Sequence, residues 1–179
     1  ARDLQELDTD DAAYLIAELP EERQPQILSH IEDKEHAQDI VDLLRYDADT
    51  AGGLMAKELV KVNENWGVDT CVAEIREQGQ HVTRVHSIYV VDDDEVLKGR
   101  LSLKDLLTAP PEAHIRDIYI PKVDFVFVHD TPEEVAHVMQ KYNLEAIPVV
   151  DKMHRLVGRI TIDDIVDVIK EEAEHDYQL

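Results

Sequence analysis

Apolar residues recur with a period of twelve over the first 45 positions of the chain. The positions are Leu7, Leu19, Ile31 and Leu43 in one series and Ile16, Leu28 and Ile40 in the other. Polar residues that favour helix N-caps, such as Asp8 and Asp33, precede the apolar runs. The pattern predicts three short helices of about nine or ten residues, stacked as a small repeat bundle. The plainer alternative is a flat pair of helices packed against the next domain.

The pattern changes at Gly52-Gly53, where backbone freedom should end the helical region. Beyond it, residues 87–107 and 146–166 align at an offset of 59 positions. Ile, Val-Val-Asp, Leu, Gly-Arg and Asp coincide, and four further positions exchange Leu for Ile or Ser for Thr. The repeat predicts a duplicated unit.

Each copy follows a β-branched run, at 58–62 and 123–128, and an amphipathic segment that begins near Val68 or Pro132. Thr131, Pro132 and the acids after them form a typical helix start. Each unit therefore reads as strand, helix, strand, turn, strand and helix, and two units in tandem should pack about a pseudo-twofold axis. The fold class is α+β, with domains expected at 1–50, 51–110 and 111–170 and a connecting helix from 171 to 179.

The chain is strongly acidic, because 40 Asp and Glu oppose 18 Lys and Arg for a net charge of −22. This charge repels nucleic acid and anionic membrane surfaces and attracts cations. An acidic coat that serves only solubility is the plain alternative.

The acids are concentrated on the last predicted helix. At about 100° per residue, Asp164, Asp167, Glu171 and Glu174 fall within a stripe roughly 80° wide. Like charges three or four residues apart destabilise a helix by about 0.2–0.5 kcal/mol per pair. Carboxylate and water oxygens are the ligands that Mg²⁺ and Ca²⁺ prefer, so the stripe predicts a divalent cation site. A solvated acidic face is the alternative.

Other chemistries find little support in the sequence. Cys71 is the only cysteine, which excludes an internal disulfide and a thiolate metal site and favours a reducing cytosol. The nine histidines are scattered, and no phosphate loop or catalytic dyad is recognisable, so we expect no enzyme. No apolar run is long enough to span a bilayer.

The duplicated string, best seen in "IPVVDKMHRLVGRITIDD" (147–164), resembles the CBS-domain pair named for cystathionine β-synthase. The acidic helical repeat, the "TAGGLM" junction and the closing "DDIVDVIKEEAEHDY" resemble the MgtE family of magnesium transporters over essentially the whole chain. The resemblance implies a helical N domain and a CBS pair on the cytoplasmic face of the membrane. It also implies a homodimer whose own transmembrane pore domain would follow residue 179.

The same resemblance implies that the chain senses Mg²⁺ and that bound ions hold a compact state in which the pore is closed. The implied metal ligands are Asp164, Asp167, Glu171, Glu172, Asp176 and Glu133. The helical domain should supply acids that face them, with Asp10 and Asp11 as candidates beside Asp8, Asp47 and Asp49.

CBS pairs also bind adenosine phosphates through a Ser/Thr-x-x-Asp motif, which occurs here as Ser102 with Asp105 and as Thr161 with Asp164. ATP is therefore a second expected ligand, and a nucleotide-sensing module that regulates an enzyme or another transporter is the alternative function. The same spacing would also arise if Ser102 and Thr161 only capped helices. Relatives often carry tyrosines where this chain has His86-Ser87. A structural dimerisation domain with an acidic coat is a further rival.

Overall fold

The computed structural model describes the backbone of residues 2–178 and the side chains of residues 4–171 and 174. Its N-terminal region is a helical domain of four helices rather than the predicted three. They are α1 (Arg2–Glu6), α2 (Thr9–Ala17), α3 (Gln24–Ser29) and α4 (Lys34–Leu44). The prediction of equal lengths was wrong, because the turn at 21–23 and Pro25 delay the start of α3, whereas the Asp33 carboxylate caps the longer α4. The apolar series itself is confirmed, since Ile16, Ile31, Ile40 and Leu43 are buried.

Two units of the same architecture follow the helical domain. The first contains β1 (Val60–Asn63), α6 (Val68–Gly79), β2 (Ile88–Val91), β3 (Leu97–Leu101) and α7 (Leu103–Thr108), after the short α5 (Ala51–Leu54). The second contains β4 (Val126–Phe127), α8 (Pro132–Lys141), β5 (Ala146–Val150), β6 (Leu156–Thr161) and α9 (Ile162–Gln178). In each unit the first strand is parallel to the second, and the third is antiparallel to it. The predicted order of elements and the α+β class are confirmed.

The two units exchange the segments that precede them. Ala56, before the first unit, forms a backbone bridge with Arg159 of the second, with N···O distances of 2.8 and 2.9 Å. Ile120, before the second unit, bridges Arg100 of the first at 2.7 and 2.9 Å. The repeated Gly-Arg pair makes this exchange feasible, since a Cβ on Gly158 would lie 2.8 Å from the Ala56 oxygen and one on Gly99 would lie 2.2 Å from the Ile120 oxygen.

The exchange of segments between the two units determines on which unit the helical domain packs. Met55 carries the chain across the second unit, and one hydrophobic core unites Ile16 and Ile40 of the helical domain with Val135 and Ile165 of that unit. The first unit has a separate core around Val62, Cys71 and Leu106. The helical domain therefore packs on the second unit, although the first unit follows it in sequence, and the start of α2 faces the start of α9.

Candidate metal centre between the helical domain and the second unit

Asp164 is held at the junction of β6 and α9. Its Oδ2 atom accepts hydrogen bonds from the backbone N and the Oγ1 of Thr161, both at 3.0 Å. The same oxygen lies 3.6 Å from Nη1 of Arg159. Because α9 starts directly after β6, these contacts fix the Asp164 carboxylate in the first turn of the helix, on the side that the helical domain covers.

The start of α2 is anchored from outside its own sequence. The carboxylate of Asp8, the N-cap residue, makes no capping hydrogen bond. Instead, Glu58 accepts from the Thr9 backbone N at 2.6 Å and from the Thr9 hydroxyl at 2.8 Å. The Thr9 hydroxyl in turn accepts from the backbone N of Lys57 at 2.9 Å, and Thr9 is 1% exposed. We call these contacts the Thr9–Glu58 clamp; they fix α2 on the segment that enters the first unit.

The clamp brings Asp10 against Asp164, and their side chains are hydrogen-bonded. Burial, the negative charge of Asp164 and this hydrogen bond raise the pKa of Asp10 from 3.8 to about 7. Burial, together with the charges of Asp164 and Asp8, also raises the pKa of Asp11. In the absence of a metal, the contact between Asp10 and Asp164 therefore retains a proton near neutral pH, since two adjacent carboxylates resist ionising together.

Arg159 supplies positive charge beside these acids. Its Nε donates to the backbone oxygen of Glu58 at 2.9 Å, and its Nη2 lies 4.0 Å from Oδ2 of Asp8. One guanidinium thus lies near the carboxylates of Asp8, Asp11 and Asp164, and Asp10 joins this group through its contact with Asp164. When all four are ionised, the cluster is left with three uncompensated negative charges. We call these four aspartates the interface cluster.

The interface cluster suits a hard cation that keeps part of its water. Within the described part of the chain, no group of three or more His, Cys, Asp or Glu side chains converges tightly enough to hold a metal directly. Mg²⁺ is typically bound by one or two carboxylates and several waters, so the facing carboxylates of Asp10 and Asp164 fit it.

The other predicted ligands are dispersed. Glu133 in α8 and Asp167 and Glu171 on α9 have exposed side chains. Asp47 and Asp49 are exposed in the turn before α5. The side chains of Glu172 and Asp176 lie outside the described residues. Among the acids predicted from the sequence, the structure brings together Asp10, Asp11 and Asp164, joined by Asp8.

Sequence reasoning missed Thr9, Glu58 and Arg159. Arg159 carried a visible signal, the repeated Gly-Arg pair, but the repeat indicated only that the two units are alike. Thr9 and Glu58 are 49 positions apart, and nothing local in the sequence indicates that they meet.

The two nucleotide motifs have different surroundings. Ser102 caps α7, with its Oγ accepting from the backbone N of Asp105 at 3.4 Å. Thr161 instead donates to the Asp164 carboxylate. The cavity beside this second motif, between His86, Tyr89 and Arg159, has a volume of about 10 Å³, the size of one water. Burial and the nearby guanidiniums of Arg159 and Arg84 lower the pKa of His86.

Comparison with known proteins defines the class of this chain. The CBS domain family profile matches residues 51–112 and 115–171, and the MgtE intracellular N domain profile matches residues 1–49. The fold is thus a helical N domain followed by a CBS-domain pair. The chain belongs to the MgtE family and is homologous to the cytosolic domain of MgtE magnesium transporters, which confirms the resemblance inferred from its motifs.

Individual relatives support this placement. The magnesium transporter MgtE of Thermus thermophilus is 40% identical over 151 residues, which are 84% of this chain and 34% of that protein. MgtE of Bacillus subtilis is 33% identical over 175 residues, 98% of this chain and 39% of that protein. The chain therefore spans little more than a third of the length of these relatives.

Two solved structures share the fold across the chain. The soluble part of a magnesium transporter superposes with a TM-score of 0.82 at 35% identity, covering 95% of this chain and 66% of that one. The cytosolic domain of the Mg²⁺ channel MgtE in complex with ATP gives 0.80 at 37% identity, covering 92% and 67%. No helix within the described residues is sufficiently long and apolar to cross a membrane.

Proposed function

We propose that the chain is the Mg²⁺-sensing regulatory region of a magnesium transporter or channel. It acts at the cytoplasmic face of the membrane, has no catalytic activity, and is connected to the transporter's own transmembrane pore domain. Several Mg²⁺ ions bound through its acids stabilise the compact arrangement of helical domain and CBS pair, and this arrangement keeps the pore closed. When Mg²⁺ is scarce, repulsion between the carboxylates loosens the arrangement and the pore opens.

One observation carries this proposal: the interface cluster lies where the helical domain meets the second CBS unit. Asp10 belongs to one side of that contact and Asp164 to the other, and the crowding raises the pKa of Asp10 to about 7. A cation placed here favours the docked arrangement over the undocked one, because only docking brings both carboxylates together. Such differential affinity is the thermodynamic requirement for allosteric coupling.

Energetics explains why one site is insufficient. A site at a metal concentration equal to its dissociation constant contributes about 0.4 kcal/mol. Moving a two-state equilibrium from 1:99 to 99:1 takes roughly 5.5 kcal/mol. Several weak sites per assembly are therefore required, and the additional ligands proposed are Asp167, Glu171, Glu133, Glu172 and Asp176.

We further propose that the region works as a homodimer, which would double the number of sites. Leu103 and Leu107 lie one turn apart on α7 and are 54% and 69% exposed. Val166 on α9, which corresponds to Leu107 at the 59-residue offset, is 37% exposed. These equivalent apolar positions suit a second copy of the chain, and Leu107→Asp should shift the sedimentation coefficient toward that of a monomer.

The test compares the melting temperature and the radius of gyration in EDTA, in millimolar MgCl₂, and in KCl of equal ionic strength. We expect Mg²⁺ to raise the melting temperature and to lower the radius of gyration. KCl should change neither quantity. Asp10→Asn combined with Asp164→Asn should raise the melting temperature in EDTA and reduce the response to Mg²⁺, because the repulsion that Mg²⁺ relieves is gone.

Asp163→Asn is the matched control, since Asp163 is an exposed neighbour on the same helix and loses the same charge. It should leave the Mg²⁺ response intact. Equal compaction by KCl and MgCl₂ would instead favour the structural rival, an acidic dimerisation domain, and would contradict sensing.

Adenine-nucleotide binding is retained as the second candidate, because the solved MgtE cytosolic domain similar to this chain contains ATP. The predicted contacts are Ser102, Asp105, Thr161 and Asp164. In the docked arrangement the second motif is occupied by its own hydrogen bonds, and the adjoining cavity has room for about one water. Nucleotide binding there therefore requires the side chains of Arg159 and His86 to move. Calorimetry with ATP, ADP and AMP, with and without Mg²⁺, tests this, and the absence of heat in every titration would exclude it.

A further inference from the structure

We infer that Arg159 is a built-in counter-ion of the interface cluster, which supports docking without metal and weakens the affinity of the cluster for Mg²⁺. This inference rests on the proposed function, because it assigns Arg159 the role of setting the Mg²⁺ concentration at which the sensor responds. It concerns a residue that would position and bias the site rather than ligate the ion.

The guanidinium is placed to act on both sides of the interface at once. Its side chain is 11% exposed, and its Nε is fixed by the backbone oxygen of Glu58. From there Nη1 lies 3.6 Å from Asp164 of the second unit, and Nη2 lies 4.0 Å from Asp8 of the helical domain. Arg159 also lowers the pKa of Asp11, in opposition to burial and to the neighbouring carboxylates. A single cation therefore links the two domains without any metal.

The duplicated unit provides an internal comparison. Arg100 corresponds to Arg159 at the 59-residue offset, and its backbone makes the equivalent bridge to the exchanged segment. The Arg100 side chain is nevertheless exposed, and no helical domain covers it. Exchange of segments thus uses the backbone at both positions, so the fold shared by the two units does not account for the buried guanidinium at Arg159.

Competition between the two cations follows from their positions. A Mg²⁺ ion held by Asp10 and Asp164 would lie near Arg159, because Nη1 of Arg159 is 3.6 Å from the Asp164 carboxylate. Repulsion between like charges in a partly buried site would then raise the dissociation constant for Mg²⁺. Without Mg²⁺, the same guanidinium offsets part of the repulsion among the carboxylates. Arg159 therefore reduces the difference in stability between the metal-free and the metal-bound protein.

The experiment measures the melting temperature of the whole chain in EDTA and across a Mg²⁺ titration for wild type, Arg159→Gln, Arg159→Lys and Arg100→Gln. For Arg159→Gln we expect a melting temperature in EDTA about 2–4 °C lower, a magnitude typical of about 1 kcal/mol in a chain of this size. We also expect a larger total rise with Mg²⁺ and a dissociation constant lower by about threefold or more, from the loss of one nearby positive charge.

The controls separate charge from packing. Arg159→Lys keeps the positive charge and should retain a Mg²⁺ rise close to that of wild type, even if loss of the fixed guanidinium lowers the metal-free stability. Arg100→Gln removes the same charge from the equivalent position of the first unit. It should match wild type in its melting temperature in EDTA and in the rise of that temperature with Mg²⁺. If Arg159→Gln lowers the melting temperature equally with and without Mg²⁺, Arg159 is merely structural and the inference is overturned. An enlarged rise for Arg100→Gln would overturn it as well.

Failure of the proposed function would look different. A wild type that does not respond to Mg²⁺ contradicts the sensor, and a response acquired by Arg159→Gln would then still support the counter-ion role. If neither protein responds, both proposals fail.

Discussion

The two CBS units of this chain share one architecture but differ in what covers them. At the turn between the second and third strands, Glu95 and His154 occupy equivalent positions, and both adopt left-handed backbone conformations, with φ of 67° and 63°. In the first unit, Glu95 pairs with Lys61 at 2.6 Å. In the second, His154 packs edge-on against Phe125 and Phe127, with ring centroids 5.4 and 5.3 Å away. The two units therefore share the backbone conformation of this turn but differ in the contacts that their side chains make.

The same divergence is seen where function is proposed. Arg100, Ser102 and Asp105 in the first unit correspond to Arg159, Thr161 and Asp164 in the second. Ser102 caps α7, whereas Thr161 and Arg159 hold a carboxylate against the helical domain. Because the helical domain packs on only the second unit, equivalent residues of the two units have different surroundings.

The largest effect is expected from adding a methyl group beneath the exchanged segments. Gly99→Ala should destabilise the chain by about 2–3 kcal/mol and Gly158→Ala by about 1–2 kcal/mol, because overpacking a close backbone contact forces it apart. The cost is greater at Gly99, where the new Cβ meets backbone 2.2 Å away, whereas at Gly158 the nearest atom is the Met55 sulfur at 2.6 Å. Urea unfolding measures both.

The effect on the Mg²⁺ response should instead be greater for the Gly158 variant than for the Gly99 variant. Gly158→Ala displaces the segment that carries Glu58 and should weaken the rise in melting temperature with Mg²⁺, whereas Gly99→Ala should leave it unchanged. An equal loss in both variants would mean that the two crossings contribute alike to the metal response.

The Thr9–Glu58 clamp should give the next largest effect. Thr9→Val keeps the shape of the side chain and removes the hydroxyl that joins Glu58 to Lys57. We expect a loss of about 1–2 kcal/mol, since a half-buried carboxylate loses a partner, and earlier proteolysis of the helical domain. Ser102→Ala removes a cap in the uncovered first unit and is the control. It should cost about 0.5–1 kcal/mol without changing the proteolysis of the helical domain.

The sequence predicted those features that depend on local pattern. Apolar periodicity identified the buried face of the helical domain at Ile16, Ile31 and Ile40, and the 59-residue repeat identified two equivalent units. Thr131 caps α8 as predicted, and its side chain forms a capping box with that of Glu134. Each of these follows from residues within one or two helical turns, or from a direct repeat in the sequence.

Features that depend on tertiary contact were not predictable. Glu58 caps α2 from 49 positions away, in place of the Asp8 that the local pattern favours. The sequence placed Asp164 on the acidic stripe of α9 and predicted that the helical domain would supply facing acids, and Asp10 and Asp11 do lie near Asp164. That these acids bind a metal stays a prediction. Which of Asp8, Asp10, Asp11, Asp47 and Asp49 face Asp164 is decided by the segment exchange, which the sequence does not encode locally.

The pH dependence of stability should also distinguish the covered unit. Asp10 has a native pKa of about 7 against 3.8 for the unfolded chain, so the native state binds more protons between these values. Its contribution to stability is therefore fully present below about pH 4 and is lost as pH rises through about 7. In EDTA, the melting temperature should fall more between pH 5 and pH 8 in wild type than in Asp10→Asn. Asp105→Asn, in the first unit, should retain the slope of wild type.

Mg²⁺ should remove much of this slope, because the ion replaces the proton as the counter-charge of the cluster. The rise in melting temperature with Mg²⁺ should accordingly be greater at pH 8 than at pH 6. An Asp10→Asn protein that keeps the full wild-type slope in EDTA would show that the proton resides elsewhere.

The smallest effect is expected for Glu95, at the turn between the second and third strands of the first unit. The side chains of Lys61 and Glu95 are 42% and 50% exposed, so their ion pair is screened, and Glu95→Gln should change the free energy of unfolding by less than about 0.5 kcal/mol. At the equivalent turn, His154→Gln removes a ring that contacts both Phe125 and Phe127, and the lost aromatic contacts should cost about 0.5–1.5 kcal/mol. Urea unfolding in low and high salt separates the two, because only the Glu95 variant should lose its effect as salt increases. A salt-sensitive His154 variant would show that its ring acts as a charge, and the two turns would then be electrostatically alike.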